Sequence, residues 1–198
     1  MNLFKKRSTG SLADIIEGCR RQERRAQNTF FDHYKNKLKG LCFRYAKTEA
    51  EADDILQESF IKIFKNIDQL RDAESVDGWV KSLVVRTAIN YYHATTKKEL
   101  LSTSIELNVT DIELNDSCRI IDQLDMEVLL KTLNSLPDGY RTVVNLYLID
   151  GYTHQQIGEM LGISEGTSKS QLQRGRVLLM KKLQKTGIED YEYTGRKS

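Results

Sequence analysis

Proline occurs once in the 198 residues, at Pro137, and glycine only 12 times. A β-sandwich needs a turn every ten residues or so, and those turns draw on proline and glycine. The scarcity argues against that class and for an all-α fold. Cysteine is also thin: Cys19, Cys42 and Cys118 are odd in number and form no C-x-x-C pair. Neither a disulfide framework nor a zinc site is indicated, and reduced thiols in a cytoplasmic protein are the expectation. No run approaches about eighteen uncharged apolar residues, and the cationic N-terminus lacks an apolar leader core, so no membrane insertion is expected. The motifs H-E-x-x-H, G-x-S-x-G, G-x-x-x-x-G-K-[ST] and G-x-G-x-x-G are missing. His33, His93 and His154 stand in unrelated contexts, with His154 expected as a surface residue just inside a capped helix. No catalytic residue, metal ligand or cofactor site is therefore predicted, and the chain is not expected to be an enzyme.

The chain is long enough for one ordinary domain or two small ones, and two are preferred. A formal net charge of +2 says little about partners, but its distribution says more. "FKKRSTG", "CRRQERRAQ" and "KSQLQRGRVLLMKKLQK" are basic, whereas "SIELNVTDIELNDSCRIIDQLDME" is acidic. A basic, acidic, basic layout suits two parts that face a polyanion, separated by a linker.

Helical periodicity begins at Ser11, a hydroxyl cap with Asp14 three residues on. Phe30, Phe31 and Tyr34, then Leu38, Leu41, Cys42 and Tyr45, recur at helical spacing. Thr48 caps a further helix in which Ile55, Leu56, Phe60, Ile63, Phe64 and Ile67 form one stripe. The other face of that helix carries Glu51, Asp53, Asp54, Gln57 and Glu58. After a turn-rich loop, "WVKSLVVRTAINYYHATTKK" offers Trp79, Leu83, Val84 and Ala88 as a buried face. Periodicity lapses from about Leu101 to Asp122, which reads as an extended or partly disordered acidic linker. It resumes near Met126 with Val128, Leu129, Leu130 and Leu133. Pro137 suits the first turn of the next helix, and "TVVNLYLID" is apolar on most sides and so is the expected centre of a small bundle.

The most informative stretch is "GYTHQQIGEMLGISEGTSKSQLQRGR". Thr153 and Gln156 spell a capping box, and Ile157, Met160 and Leu161 face inward. Gly162 supplies a left-handed stop, Ile163 fills the corner and Ser164 caps the next helix. Helix, short turn and helix predict a DNA-reading element. Once Leu172 and Leu179 are buried, the second helix presents Glu165, Thr167, Lys169, Ser170, Gln171, Gln173, Arg174 and Arg176. Cationic and amide side chains of this kind read base edges or hold phosphates, and the helix start at Ser164 offers free N–H groups to a phosphate.

These residues carry a family resemblance. "SLPDGYRTVVNLYLIDGYTHQQIGEMLGISEGTSKSQLQRGRVLLMKKL" resembles region four of the extracytoplasmic-function sigma factors of bacterial RNA polymerase. "AEADDILQESFIKIFKNI" with "GWVKSLVVRTAINYY" resembles region two of the same family, in the same order. The resemblance implies two small helical domains, residues 23–98 and 126–186, joined by an acidic linker at 99–125. Residues 1–22 would be a basic tail and the start of the first helix, and 187–198 a C-terminal tail. It implies that Asp53, Asp54, Gln57 and Glu58 dock on core RNA polymerase through a basic coiled coil of its β′ subunit, with β as a further contact. Arg71 and Asp72, in the loop that pockets a flipped base, would grip the melted downstream promoter element. Arg86, Asn90, Tyr91, Tyr92, Lys97 and Lys98 would join them, supplying aromatic and cationic contacts that offset unstacking. Trp79 is assigned to the core. The double-stranded upstream element would be read by Ser164, Glu165, Thr167, Lys169, Ser170, Gln171, Arg174 and Arg176. An anti-sigma factor is an implied partner.

The chain departs from the family at several positions. Ser168 stands where an apolar residue is usual, and Gln171 and Gly175 replace the common Arg and Ala. A polar core group and a mid-helix glycine each cost on the order of 1 kcal/mol, so a less rigid recognition helix is expected. His93 and Ala94 replace cations, which weakens the expected grip on DNA. The competing reading is a stand-alone helix-turn-helix regulator, but it leaves the acidic helix and the aromatic and basic helix without a task.

Overall fold

A computed structural model of the chain describes residues 11–96 and 126–185. The described residues are all-α, with no strand among them. The helices are α1 (Leu12–Arg20), α2 (Arg24–Tyr45), α3 (Glu49–Asn66), α4 (Val76–Thr96), α5 (Met126–Asn134), α6 (Asp138–Val144), α7 (His154–Leu161) and α8 (Glu165–Lys185). The chain divides into two compact units, Met1–Tyr91 and Tyr92–Ser198. The acidic stretch at 99–125, the tail at 187–198 and Lys97 and Lys98 lie outside the described residues.

In the first unit the local signals set the boundaries. Ser11 accepts from the Asp14 backbone N–H while Asp14 accepts from that of Ser11, a reciprocal capping box that opens α1. Gln22, with φ of 58°, makes the sharp turn into α2. Thr48 accepts from the Glu51 N–H and opens α3. The buried stripes interleave: Phe30, Tyr34, Leu38, Leu41 and Cys42 from α2, with Ile55, Leu56, Phe60 and Ile63 from α3. Ile16 and Cys19 of α1 are buried in the same unit. Phe31 does not join this core; it is 40% exposed, with its ring against Phe60 at 4.6 Å.

Helix α4 starts three residues before Trp79, because Asp72 caps a 3-10 turn at Ala73–Ser75 that runs directly into it. Its buried stripe is Val76, Val80, Val84, Val85, Ala88 and Ile89. Trp79 was expected in the core, but it and Leu83 are only half-buried. With valines at 76, 80 and 84 on one face, the stripe centres there and leaves Trp79 at its edge. Tyr34 ties α2 to the start of α4 by donating its phenol to Asp77 at 2.9 Å. The Arg20 guanidinium donates to the Leu70 carbonyl and fastens α1 to the loop before α4.

The second unit is built around α6. Pro137 occupies the cap position rather than the first turn, with its carbonyl accepting from the Arg141 N–H at 2.9 Å. The helix continues as a π-helical segment, Asn145–Ile149. Val143, Val144 and Leu146 are fully buried, so the expected bundle centre is correct as far as Leu146, after which Tyr147 emerges. Arg141 is also buried, paired with Asp138 at 3.0 Å. Helix α8 lays Leu172, Leu179 and Leu183 against this core, and α5 adds Leu129 and Leu133.

Candidate nucleic-acid interface

The second unit contains a helix-turn-helix whose corner follows from its residues. Thr153 accepts from the Gln156 N–H at 3.2 Å, and the Gln156 side chain accepts from the Thr153 N–H at 2.9 Å. This capping box starts α7. Ile157 and Leu161 are buried and Met160 is half-buried. Gly162 stops the helix at φ of 68°, a left-handed conformation in which a Cβ is penalised. Ile163 donates its N–H to the Gly158 carbonyl at 3.1 Å, and Ser164 accepts from the Thr167 N–H at 3.0 Å to open α8.

On α8 the residues expected to read DNA divide by exposure. Ser164, Glu165, Lys169 and Ser170 are exposed, while Thr167, Gln171, Arg174 and Arg176 are half-buried. The Gln171 Oε1 atom is turned into the protein and makes no hydrogen bond. Lys169 and Glu165 pair across one helical turn at 2.6 Å. The Lys169 ammonium holds the Glu165 carboxyl below its ordinary range. Gln173 is exposed and falls one turn beyond Lys169 and Ser170, on the same face. It was not among the expected contacts, although its place among the polar residues of this helix was the available signal.

Two of the three departures on α8, Ser168 and Gly175, have structural reasons. Ser168 is fully buried, but its hydroxyl shares a 2.9 Å hydrogen bond with Nδ1 of His154. His154 is only partly exposed and stacks on Tyr147, with centroids 4.4 Å apart and planes at 21°. Partial burial, with Lys169 and Arg176 nearby, holds its pKa below the ordinary 6.5, and Glu165 opposes the shift. The expected surface histidine is instead a partner for the polar core residue. Gly175 lies where α8 crosses α6: a Cβ there would stand 2.6 Å from Val144 Cγ2 and 3.3 Å from the Tyr140 carbonyl oxygen. The glycine permits close packing, so the expected loss of rigidity does not follow from either position.

In the first unit, Asp53, Asp54 and Gln57 are exposed on α3 and Glu58 is half-buried. Lys39 pairs with Asp53 at 2.9 Å and with Glu49 at 3.3 Å, and Lys62 pairs with Glu58 at 2.7 Å. The Asp53 and Glu58 side chains remain 53% and 46% exposed, and such surface pairs contribute only about 0–1 kcal/mol, so a partner's cations can displace them. Ile61 extends this face one turn beyond Gln57 and is 61% exposed. Sequence reading missed it, though its position off the buried stripe is the mark of an outward apolar residue.

On α4, Arg86 and Asn90 are exposed one turn apart, and Arg71 and Asp72 are exposed in the preceding loop. Tyr92 is buried. Tyr91 is half-buried and donates its phenol to Asp54 Oδ2 at 3.4 Å. Partial burial first, and then the Asp54 carboxylate, push that phenol above its ordinary pKa. The structure thus joins one of the expected DNA residues to the acidic face of α3.

Comparison with known proteins bears on what these surfaces are for. Residues 30–98 match the family model for Sigma-70 region 2, and 126–179 match that for Sigma-70, region 4. The ECF RNA polymerase sigma factor SigW of Bacillus subtilis is 33% identical over 161 residues, covering 77% of this chain and 86% of its own. The chain belongs to the ECF family of RNA polymerase sigma factors. The ECF RNA polymerase sigma-E factor of Haemophilus influenzae is 25% identical over 86% of this chain and 94% of its own. A solved complex of the sigma factor RpoE with the anti-sigma factor NepR, from Bartonella quintana, aligns over 79% of this chain and 96% of that one, at 16% identity and a TM-score of 0.49. As a sigma factor the protein acts in transcription initiation, in a family of DNA-binding regulatory factors rather than enzymes. No helix among the described residues of this sigma factor is long and apolar enough to cross a membrane.

Proposed function

We propose that this sigma factor docks on core RNA polymerase through the α3 face of Asp53, Asp54, Gln57 and Glu58, with Ile61 as an apolar contact. Its acceptor is a basic coiled coil of the β′ subunit, and β supplies a further surface. Residues 23–98, with α1 packed on them, form the region-two domain, 126–186 the region-four domain and 99–125 the connector. Arg71, Asp72, Arg86, Asn90 and Tyr91 engage the melted downstream promoter element together with Lys97 and Lys98, while Tyr92, expected there from the sequence, is buried and supports α4 from within. Helix α8 reads the double-stranded upstream element through Ser164, Glu165, Lys169 and Ser170, flanked by Thr167, Gln171, Arg174 and Arg176. Gln173 joins that surface. An anti-sigma factor is the expected regulator, and the cytoplasm the expected compartment.

The observation that carries this reading is the pairing of a capped helix-turn-helix in one unit with an acidic, exposed helix face in the other. A stand-alone regulator needs only the first. The test mixes the purified chain with bacterial core polymerase beside a variant carrying Asp53→Lys, Asp54→Lys and Glu58→Lys. Co-elution and new start sites on a genomic promoter library, both lost in the variant, are the expected result. A chain that ignores polymerase and shifts duplex DNA alone refutes it.

A further inference from the structure

Ser168 poses a problem that the rest of the helix-turn-helix does not. A hydroxyl with 0% exposure, between the reading residues Thr167 and Lys169, must be satisfied inside the protein. Its side-chain partner is His154, the first residue of α7, at 2.9 Å. That ring lies flat on Tyr147 of the π-helical segment, so one imidazole joins three parts of the unit. We propose that His154 is a positioning residue for promoter recognition: as a neutral ring it accepts from Ser168 at Nδ1, fixes the start of the reading helix, and makes use of the upstream element fall as the medium acidifies. The proposal rests on the reading of α8 as the upstream-element helix.

Protonation has a definite structural effect here. A proton on Nδ1 turns the ring from an acceptor into a donor facing the hydroxyl, so the hydrogen bond that Ser168 donates to it is lost and the contact must reverse. The charged groups facing the ring from α8 are Lys169, Arg176 and Glu165, two cations against one carboxylate. The π-helical segment contributes the uncharged phenol of Tyr147. His154 also lines an open cleft of about 600 Å³ with Thr153, Gln155 and Glu165, so solvent protons reach it. Because the folded protein disfavours the charged ring, the unfolded chain takes the proton first, below 6.5. The contact is therefore complete above that pH and is lost as pH falls through the lowered folded value.

The test uses holoenzyme reconstituted from bacterial core polymerase and the full chain, on a promoter that the wild-type holoenzyme selects. The readout is transcription from that promoter divided by transcription from the same promoter with its upstream element scrambled, between about pH 8 and pH 5. His154→Leu and Ser168→Ala should each lower the ratio about tenfold at the upper pH, the effect of one buried hydrogen bond. The double variant, with no polar atom left to satisfy, should recover most of that loss. His154→Asn keeps an acceptor near the Nδ1 position without a titrating ring. It should restore most of what His154→Leu loses, with a flat pH profile where the wild type falls. If His154→Asn follows the wild-type pH curve, or if the two single losses simply add, the proposal is overturned while the sigma-factor reading stands. If the wild-type ratio is unity at every pH, the reading of α8 is overturned and the proposal with it.

Discussion

Replacing Gly175 by alanine should destabilise the second unit, against the intrinsic preference of a helix. Gly175 is an interior position of α8, where alanine ordinarily gains about 1 kcal/mol. Its Cβ, however, would arrive 2.6 Å from Val144 Cγ2, and ordinary carbon contacts lie near 3.5–4.0 Å. Relief requires a shift of about 1 Å. Val144 is fully buried and Tyr140 presents its backbone carbonyl at 3.3 Å, so neither neighbour gives way easily. Overpacking of this kind costs about 1–3 kcal/mol, which leaves a net loss of up to about 2 kcal/mol after the propensity gain. For a unit of this size each kcal/mol moves the midpoint by about 4–8 °C. Far-UV circular dichroism during thermal unfolding of the full chain measures it, while fluorescence of Trp79, the chain's single tryptophan, follows the first unit separately. Val144→Ala alone should cost about 1–3 kcal/mol through its cavity. Combined with Gly175→Ala, it should cost at least about 1 kcal/mol less than the sum, because the methyl that clashes is gone. A stabilised Gly175→Ala chain, or strict additivity in the cycle, would refute the packing argument.

Thr153→Ala removes the cap of α7 and should destabilise the second unit by about 1 kcal/mol, read as a lower circular-dichroism midpoint with the Trp79 signal unmoved. Lys169→Ala should weaken holoenzyme binding to promoter duplex and, if Lys169 leaves Glu165 for a phosphate, reduce the log–log salt slope by about one. A loss of affinity with an unchanged slope would place Lys169 on a base or leave it in its ion pair.

The corner of the helix-turn-helix was legible because each of its signals is local. Thr153 with Gln156, Gly162 and Ser164 act within one turn of their own positions, and each does what its residue type favours. Thr48 and Ser11 are legible for the same reason. What the sequence hides is long-range. Nothing within a turn of His154 indicates that the ring folds onto Tyr147 and reaches Ser168, fourteen residues away in sequence. Gly175 reads as a weak helix former until α6 is placed against it. Arg141, just ahead of an apolar run, is buried against Asp138, and no periodicity rule anticipates a guanidinium there. Trp79 shows a different failure: its helical phase was right to within one residue, and that residue decided whether Trp79 or Val80 is buried.

The hydrogen bond from Tyr91 to Asp54 bears on how genetics in this protein would read. The two side chains were assigned to separate tasks, one to melted DNA and the other to polymerase, yet each limits where the other can go. On the proposed roles, an allele at Asp54 selected for weak polymerase binding also removes this hydrogen bond of Tyr91, and should carry a promoter phenotype as well. Compensating changes recovered in such a screen should fall on α4 as well as on the polymerase, and a scanning map that treats the two surfaces as independent will show epistasis between them.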